Sequence, residues 1–572
     1  MFRKTKKNQQ LNLFTSSHNI LRGRALRVYE DSKEWHNQFR AQVTERIEED
    51  IFRPLFCDGF GAPNASIRVL VGMMILKEAN GWSDSQLFDH THFNLRVRSA
   101  LGLHNLDDPT PVDSTYYLLR RRIVDWESEN NENLLEKVFA QVTRSQVIDF
   151  NINGNKIRMD SKLLGSNIAW YNRYELIHET IRKTYDHIKF QIDYFMPDLD
   201  IVILKEIFGE LGNKVSYRSN KSELESKLVR LGPIIYNIIN YFHDKSIDSI
   251  ETLRQVFYQH YEVVDDTVNL LPKQQLKASN IQSPHDTDCT FRDKGDICVK
   301  GYSINTTETC NPDNPLNLIV NVIVESASQS DCDFLIPAVE YSQEVVFQNI
   351  ETVNSDAAYH SIVNQDYCED HDIDLIVSGL TGRSPKYELD YDENNNLTAT
   401  CLATNQTVPV IKVETKNPDA PPRWKIKKPD GKPRYFKQEE IDSSVLRKKL
   451  ATYSRAEMNL RNNVEASIFQ LGYHYPNRKS RYRQLSKHRI WANARCLWIN
   501  FVRIMKYFKL LEESCAQMEL KCIQMKKIYA SIANILSSFC LKMAKYAKFK
   551  FKMIFAGIFS ISPQKIAFTT CL

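Results

Sequence analysis

Residues 316–325 of the chain read LNLIVNVIVE, and seven of these ten residues are Leu, Ile or Val. A short apolar run of this composition predicts a buried β-strand. Downstream, helical spacing covers residues 334–347, a short strand ends at Asp356, a second helix covers residues 359–369, and IDLIVS at 373–378 is another buried strand. Strands that alternate with helices in this way predict a mixed α/β unit.

Upstream of this unit, the sequence predicts a β-hairpin. The apolar residues of the segment 147–152 lead to Asn153-Gly154, which is a strong two-residue turn signal between strands. The returning strand is expected to begin near Lys156 and to carry Asp160. This hairpin would place an acidic side chain on the sheet of the α/β unit.

The first 135 residues are expected to be helical after a flexible basic arm. Residues 1–30 hold seven basic residues and one acidic residue. Ser83 and Gln86 have the spacing of a capping box, which predicts a helix over residues 84–100. Short helices with a triple arginine are compatible with a helix-turn-helix DNA-binding domain over residues 31–135. An all-helical packing domain with a solvated basic face is the alternative. The triple arginine is Arg120, Arg121 and Arg122.

The rest of the chain divides by composition. Residues 146–383 and 441–508 are expected to form one α/β core. Two insertions interrupt it. Residues 172–280 have helical spacing with many charges, and residues 384–440 are rich in Pro, Asn and Lys with short strand-like runs. In the second part of the core, helices are expected from Ser444 to about Leu471 and from Ser486 to Phe508. Residues 509–572 form a Lys-rich tail that is helical at first, and the sequence assigns it no role.

Composition is that of a soluble globular protein. The chain has 572 residues with 75 Lys and Arg against 70 Asp and Glu, a net charge of +5, and a mean hydropathy of −0.42. This balance hides two charged blocks. Residues 281–400 hold 22 acidic and 5 basic residues, a net of −17, whereas residues 421–510 hold 22 basic and 6 acidic residues, a net of +16. Such blocks suggest a cation-binding part beside a polyanion-binding part.

Compartment and membrane signals are negative. None of the twelve cysteines forms a CxxC pair, which argues against a structural zinc site and for reduced thiols in a reducing compartment. The basic N-terminus lacks the apolar region of a secretory signal. No membrane span is expected, because lysines interrupt the best apolar stretch, near residues 528–541.

Three carboxylates are candidates for a metal site. Asp160 lies on a strand, Asp356 lies where a strand passes into a helix, and Glu465 lies within a helix. Such a cluster can bind two Mg²⁺ ions, which prefer oxygen ligands and can promote phosphodiester cleavage. Each acid also has a simpler interpretation. Asp356 would serve as a helix N-cap, and Glu465 would be a surface residue in a helical ion pair with Arg461.

The segments around these acids resemble a known family. RMDSKLLGSN at 158–167, ETVNSDAAYHS at 351–361 and NLRNNVEASIF at 459–469 look like the three catalytic blocks of DDE transposases of bacterial insertion sequences, and the IS1182-type group is most similar. The helical segment at 63–103 is similar to that group's N-terminal domain. The resemblance extends over roughly residues 30–508.

The resemblance implies a fold and a chemistry. It implies an α/β fold with an RNase H-like mixed-sheet catalytic core, helical and β-rich insertions, and an all-helical N-terminal domain. It makes Asp160, Asp356 and Glu465 the ligands of two Mg²⁺ ions, for which Mn²⁺ would substitute, and Arg461 a supporting basic residue. The activity would be cleavage of DNA at the element ends, followed by transfer of the freed 3′-hydroxyl into target DNA.

Parts of the chain depart from the family pattern. Met458 and Gly472 stand where the third block would carry Tyr and Lys. The cysteine cluster of the family's insertion is reduced to Cys401, which argues against zinc there. Because of these departures, a decayed or domesticated transposase that only binds DNA is one alternative. A metal-dependent nuclease without strand transfer is another.

The partners follow from the basic block and the reaction. The cations of the basic block are expected to contact the backbone of double-stranded DNA, in the terminal inverted repeats of the element and in the target. The alternative is that these cations only form the solvated start of a basic helix. Two element ends must be handled together, so a homo-oligomer, at least a dimer on DNA, is expected. The compartment would be the bacterial cytoplasm, at the nucleoid. The DNA-contacting candidates of the basic block are Arg478, Lys479, Arg481, Arg483, Lys487 and Arg489.

Overall fold

The computed structural model describes residues 1–5, 11–57, 59, 61–192, 197–295, 297–379, 385–392, 396–413, 422–427 and 431–555. The chain divides into two compact units, residues 1–504 and residues 505–572. The first unit contains a helical region, a central mixed sheet and two small sheets. Among the described residues, no helix is both long enough and apolar enough to cross a membrane.

In the described residues, eight α-helices precede the central sheet. They are α1 (Ser17–Ile20), α2 (Gly23–Glu30), α3 (Trp35–Gln42), α4 (Ile67–Asn80), α5 (Asp84–Phe93), α6 (Leu95–Ala100), α7 (Asp113–Asn130) and α8 (Leu134–Asp149), with 3-10 turns at Thr44–Arg46 and Glu49–Leu55. The predicted capping box is confirmed at α5, where Ser83 and Gln86 exchange hydrogen bonds. The helix predicted over 84–100 is two helices, because Asn94 caps α6 separately.

The strand predicted at residues 147–152 and the hairpin after it are wrong. The first part of this segment ends helix α8, in which Val142 and Gln146 are fully buried one helical turn apart. Burial of one helix face outweighed the local strand preference of the β-branched residues. Gly154 does not form a hairpin turn. It allows the backbone to lie close to Val346, since a Cβ at this position would be 2.5 Å from the Val346 side chain.

After strand β1 (Lys156–Gly165), the chain leaves the sheet and forms a helical segment with its own core. The segment contains α9 (Arg173–Ile192), α10 (Asp198–Phe208), α11 (Gly212–Arg218), α12 (Lys221–Tyr241), α13 (Asp248–His260) and the hairpin of β2 (Tyr261–Val264) and β3 (Thr267–Leu270). Ile177, Leu231 and Phe257 are buried at its centre. The structure therefore shows the helical character expected of this segment, with one hairpin added.

The central sheet is mixed, as predicted for the α/β unit. It adds β4 (Thr290–Lys294), β5 (Ile297–Thr309), β6 (Ile319–Ser326), β7 (Thr352–Ser355) and β8 (Asp374–Val377), with α14 (Leu335–Val346) and α15 (Ile362–Asp370) between the later strands and 3-10 turns at Lys273–Gln275, Asp331–Phe334 and Ala357–Tyr359. The strand order is β4–β5–β1–β7–β8, and β6 also pairs with β5. β5 is antiparallel to β1, β4 and β6, whereas β1, β7 and β8 run parallel.

Two small sheets follow the central one. They consist of β9 (Tyr387–Tyr391), β10 (Leu397–Cys401) and β11 (Thr407–Pro409), and of β12 (Ile411–Val413), β13 (Arg423–Lys427) and β14 (Pro433–Lys437). Leu389, Ala399 and Phe436 form part of a shared apolar core. The short strand-like runs in this part of the sequence are therefore strands.

The chain ends in helices that differ from the expected ones. They are α16 (Gln438–Thr452), α17 (Arg455–Asn459), α18 (Val464–Leu471) and α19 (Leu485–Phe555), with a 3-10 turn at Leu460–Asn463. The long helix expected from Ser444 to Leu471 is thus broken, because Ser454 forms a capping box with Glu457 and starts a new helix. α19 continues far beyond Phe508, where the sequence reading ended it.

Candidate active site

Strand register brings Asp160 and Asp356 level with each other. β1 and β7 are parallel neighbours, and Arg158 is opposite Asn354 in their register. Asp160 and Asp356 each lie two residues further along, so the two acids are neighbours at the point where β7 ends beside β1. Their side chains are 18% and 35% exposed. The structure therefore pairs two acids that lie almost two hundred positions apart in the sequence.

Each carboxylate is oriented by local hydrogen bonds. Oδ1 of Asp160 accepts a 2.8 Å hydrogen bond from the backbone N–H of Ser161. Oδ1 of Asp356 accepts bonds from the backbone N–H of Ala357, at 2.7 Å, and from the hydroxyl of Ser378, at 3.2 Å. Asp356 is indeed the N-cap of the following 3-10 turn. In both acids Oδ2 is left facing Arg461.

The guanidinium of Arg461 bridges the two carboxylates. Its Nη2 lies 3.5 Å from Oδ2 of Asp160 and 3.6 Å from Oδ2 of Asp356, and its Nη1 donates to Ser378 at 3.3 Å. Because both distances start at the same nitrogen, the two Oδ2 atoms are at most about 7 Å apart. Two Mg²⁺ ions about 4 Å apart, with bonds of 2.0–2.1 Å, can bridge such a span.

The environment of Asp160 opposes its ionisation. Burial raises the pKa of its carboxyl above the ordinary value, the nearby Asp356 adds to the rise, and the Ser161 N–H and Arg461 only partly offset it. A bound cation would reverse this balance, because it stabilises the charged carboxylate. The ionised form of Asp160 therefore depends on positive charge at this point, which Arg461 supplies here.

Glu465 lies apart from this pair. It is exposed in the first turn of α18 and, within the described part of the chain, its carboxylate has no hydrogen bond or ion pair. The alternative interpretation, a helical ion pair between Arg461 and Glu465, is wrong, since Arg461 lies in a 3-10 turn and faces the two aspartates. In the described ranges, no three His, Cys, Asp or Glu side chains are close enough together to hold a metal ion.

The helix that carries Glu465 nevertheless packs on the strand that carries Asp160. Lys162, on β1, donates from Nζ to the carbonyl of Ile468 in α18 at 2.9 Å. Deeper in the fold, the hydroxyl of Ser467 donates to Oε2 of Glu308 at 2.6 Å. These contacts attach α18 to strands β1 and β5 of the sheet.

Glu308 is the centre of a buried ion cluster under the site. Its side chain is fully buried on β5, and it pairs with Arg158 of β1 and Arg503 of α19. Burial alone raises the pKa of Glu308, but the charges of Arg503 and Arg158 outweigh it and hold the pKa below its ordinary value. The cluster thereby joins the sheet, α18 and α19 around one carboxylate.

Two residues at the site were missed by the sequence reading. Ser378 follows strand β8, which is parallel to β7, and the rule that parallel strands end at one edge could have found it. Asp331 is buried and accepts a 2.9 Å hydrogen bond from Ser161, the neighbour of Asp160. Asp331 is neutralised by Arg292 at 3.0 Å, and no sequence pattern indicated that pairing.

Two basic clusters that are far apart in the sequence line one cleft. The cleft has a volume of about 680 Å³ and lies between α7 and the segment that enters α19. The guanidinium of Arg120 on α7 packs over the ring of Tyr482 at 5.5 Å, and this contact holds the two sides of the cleft together. The cations that line the cleft are Lys77, Arg120, Arg121, Arg481, Arg483 and Lys487.

The other basic candidates lie elsewhere. Arg122 packs over the ring of Phe56. Arg478 and Lys479 line a separate cavity of about 340 Å³. Arg489 forms ion pairs with Glu127 at 2.8 Å and with Glu325 at 2.7 Å, which ties α19 to α7 and β6. The remaining cations of the cleft are partly engaged too, as Arg481 donates to the carbonyls of Gly81 and Trp82.

Comparison with known proteins identifies one part of the chain. Residues 27–122 match the family model of a transposase domain (DUF772). This segment includes helices α3 to α6 and the Arg-rich first half of α7. The chain is thus similar to transposases in its helical N-terminal region, including the arginines at the cleft.

Two further comparisons are weaker or empty. The chain aligns with piggyBac transposase in the cryo-EM structure of its synaptic complex with hairpin DNA, at 8% identity and a TM-score of 0.26, over 83% of this chain and 74% of that one. At these values the likeness supports no conclusion on fold or function. No curated protein matches the chain.

Proposed function

We propose that the protein is a DDE-type DNA transposase of the IS1182-type group, which cleaves element ends and transfers their 3′-hydroxyls into target DNA. The observation that carries the proposal is the pairing of Asp160 and Asp356 where β7 ends beside β1, each two residues beyond a register pair. The transposase-domain match at residues 27–122 supports the same role independently. The mixed sheet supports an RNase H-like core: β5 is antiparallel to its neighbours, and β1, β7 and β8 are parallel to one another.

The two aspartates fit a pair of Mg²⁺ ions, whereas the third expected ligand would have to move. Asp160 and Asp356 would hold the ions, and Glu465, which is exposed and lies apart from them, would have to turn toward the pair to complete the set. Carboxylate oxygens are the ligands that Mg²⁺ prefers. When bound, the ions would supply activation of the attacking oxygen and neutralisation of charge on the phosphate. Mn²⁺ would substitute for Mg²⁺.

Residues of the chain itself perform the remaining tasks. Ser161 and Ala357 hold the two aspartates in place through their backbone N–H groups, so the free oxygens face one point. Arg461 occupies that point here and must move aside when a cation enters. Once displaced, its guanidinium is placed to contact a phosphate oxygen of DNA at the same site.

The basic cleft is the proposed path of the DNA backbone. Arg121 is exposed on α7, and Lys487 and Arg483 approach from the opposite wall. Closely spaced cations bind phosphates with little regard to sequence. Repeat-specific contacts would come from the helical region at residues 31–135. Two element ends would require at least a dimer on DNA, acting at the nucleoid.

Strand cleavage by an Asp160→Asn variant tests the proposal. The isosteric amide keeps the fold but removes the charge that binds the cation. The wild-type chain should nick an element-end duplex only with Mg²⁺ or Mn²⁺, and the variant should bind the same duplex without nicking it. Cleavage that survives the change would overturn the assignment.

A second assay separates strand transfer from simple hydrolysis. Pre-cut element ends with free 3′-hydroxyls are supplied with a supercoiled target. A transposase gives joined product, whereas a nuclease gives shortened ends and no joined species. A chain that binds ends but does neither is a DNA-binding descendant, and the enzymatic proposal then fails.

A further inference from the structure

The outer part of α19 carries a long apolar stripe. Between residues 511 and 546, apolar residues recur at alternating intervals of four and three, without a charged residue at any of these positions. Alternating intervals of four and three give a period of 3.5, the heptad repeat of coiled coils. The stripe consists of Leu511, Cys515, Met518, Cys522, Met525, Tyr529, Ile532, Leu536, Phe539, Met543 and Tyr546.

The stripe is open to solvent within its own unit. Its large side chains range from 43% exposed at Leu511 to 65% exposed at Tyr529, and both cysteines are exposed. A helix gains most of its stability in proteins from covering an apolar face, and apolar patches of this length mark interaction surfaces. α19 spans 71 residues as one helix, a length that favours a coiled coil over an isolated surface helix.

We propose that a second copy of this chain covers the stripe as a coiled coil. A heptad stripe is complementary to itself, because each side chain fits between four side chains of an identical partner. If each of the eleven side chains loses roughly 70 Å², about half of the area of a small aromatic side chain, two copies bury about 1,500 Å². A stable interface needs about 1,200–2,000 Å², so the stripe suffices.

The spacing favours a second copy over a lipid surface. A helix that lies on a membrane presents a wide face with a period of 3.6, which drifts away from a 3.5 repeat by about 20° in each heptad. The stripe holds its 3.5 period for five heptads. Ile528 and Ile535 each lie directly before a residue of the stripe, so they widen the stripe near its middle without changing its period.

The interface is independent of the DNA chemistry, so it can be tested without DNA. The full-length chain has a mass of 66.6 kDa, and sedimentation at micromolar concentration should give twice that value. Ile532→Asp combined with Phe539→Asp places two charges in the seam and should give the monomer mass. Leu520→Asp combined with Leu541→Asp is the matched control, because both leucines are at least as exposed as Ile532 and Phe539 but lie off the stripe.

A strengthening variant guards against simple misfolding. Cys515→Ile combined with Cys522→Ile puts a β-branched residue at two seam positions, which favours pairing. It should lower the dissociation constant of the dimer at least tenfold, as measured by a dilution series. A gain of association in this variant cannot come from a damaged helix.

Three results would overturn the proposal. The wild-type chain could sediment as a monomer at tens of micromolar. The off-stripe control could dissociate as fully as the seam variant. The monomeric chain could bind vesicles of phosphatidylcholine and phosphatidylserine through the stripe, which would assign the stripe to a lipid surface. Failure of DNA cleavage alone would leave the interface standing, since the masses are measured without DNA.

Discussion

Replacement of Arg461 by glutamine is predicted to tighten the binding of Mn²⁺. A cation that enters between Asp160 and Asp356 must break the contacts of Arg461 with both, at 3.5 and 3.6 Å. Partly exposed ion pairs contribute about 0–1 kcal/mol each, and the upper half of that range applies here because Arg461 and Asp160 are largely buried. At about 0.5–1 kcal/mol each, the two pairs together oppose binding by about 1–2 kcal/mol. This energy corresponds to a decrease in Kd of about 5–30-fold.

The assay is a titration of the full-length protein with Mn²⁺, in which paramagnetic resonance reports the free ion. Arg461→Gln should bind more tightly than wild type, and Arg461→Lys should lie nearer to wild type because it keeps the charge. Arg455→Gln is the matched control, because this arginine is exposed on the neighbouring helix α17 and makes none of the aspartate contacts. Its Kd should stay within about twofold of wild type.

One result would refute this reasoning. If Arg461→Gln bound Mn²⁺ no more tightly than wild type while Asp160→Asn abolished binding, the guanidinium would not compete with the cation. Arg461 would then be a neighbour of the metal site and not its occupant. The measurement reads metal affinity directly, so it does not depend on the protein's activity on DNA.

Three further predictions concern the support of the site and the cleft. Glu308→Gln should lower the free energy of unfolding by about 3–5 kcal/mol, measured by urea denaturation, because two arginines would lose their buried partner. The pKa of Glu308 is lowered in the fold, so its contribution to the free energy of unfolding is present above its ordinary pKa of 4.5 and is lost as pH falls through the lower folded value. The stability difference between wild type and variant should therefore shrink below pH 4.5. A difference that stays constant with pH would contradict the assignment. Arg121→Gln combined with Lys487→Gln should weaken binding to duplex DNA of any sequence and reduce the slope of log K against log salt by about 1.8. Lys214→Gln combined with Arg230→Gln, exposed cations outside the cleft, should leave that slope unchanged.

Local sequence signals predicted much of the sheet. LNLIVNVIVE and IDLIVS became strands β6 and β8 because an apolar β-branched run in an α/β unit has few other uses. The capping box at Ser83 was also predicted correctly, because its hydrogen bonds lie within four residues. Predictions of this kind need no knowledge of distant parts of the chain.

Other features depended on distant contacts. The segment 147–152 has β-branched residues, yet helix α8 continues through its first half because its apolar face is covered. The meeting of Asp160 with Asp356 required the register of β1 against β7, which the resemblance indicated and spacing alone could not. The position of Arg461 between them was not predicted, because a helix over its position suggested a pairing with Glu465.

The heptad stripe of α19 could have been predicted from the sequence alone. Its intervals of four and three can be read from residues 511–546 directly. The lysines between the apolar residues obscured the pattern, since they made the segment look like a basic tail. Only the continuous helix, with its apolar side chains exposed, made the period visible.

The most direct test of the proposed active site is a crystal structure of the protein with Mn²⁺. Anomalous scattering should locate the metal between the carboxylates of Asp160 and Asp356, with Arg461 moved aside and the carboxylate of Glu465 turned toward the metal. Two-metal sites hold their ions about 4 Å apart. Carboxylates of Asp160, Asp356 and Glu465 that stay much more than about 8 Å apart around bound metal could not share such a site, and that result would contradict the account.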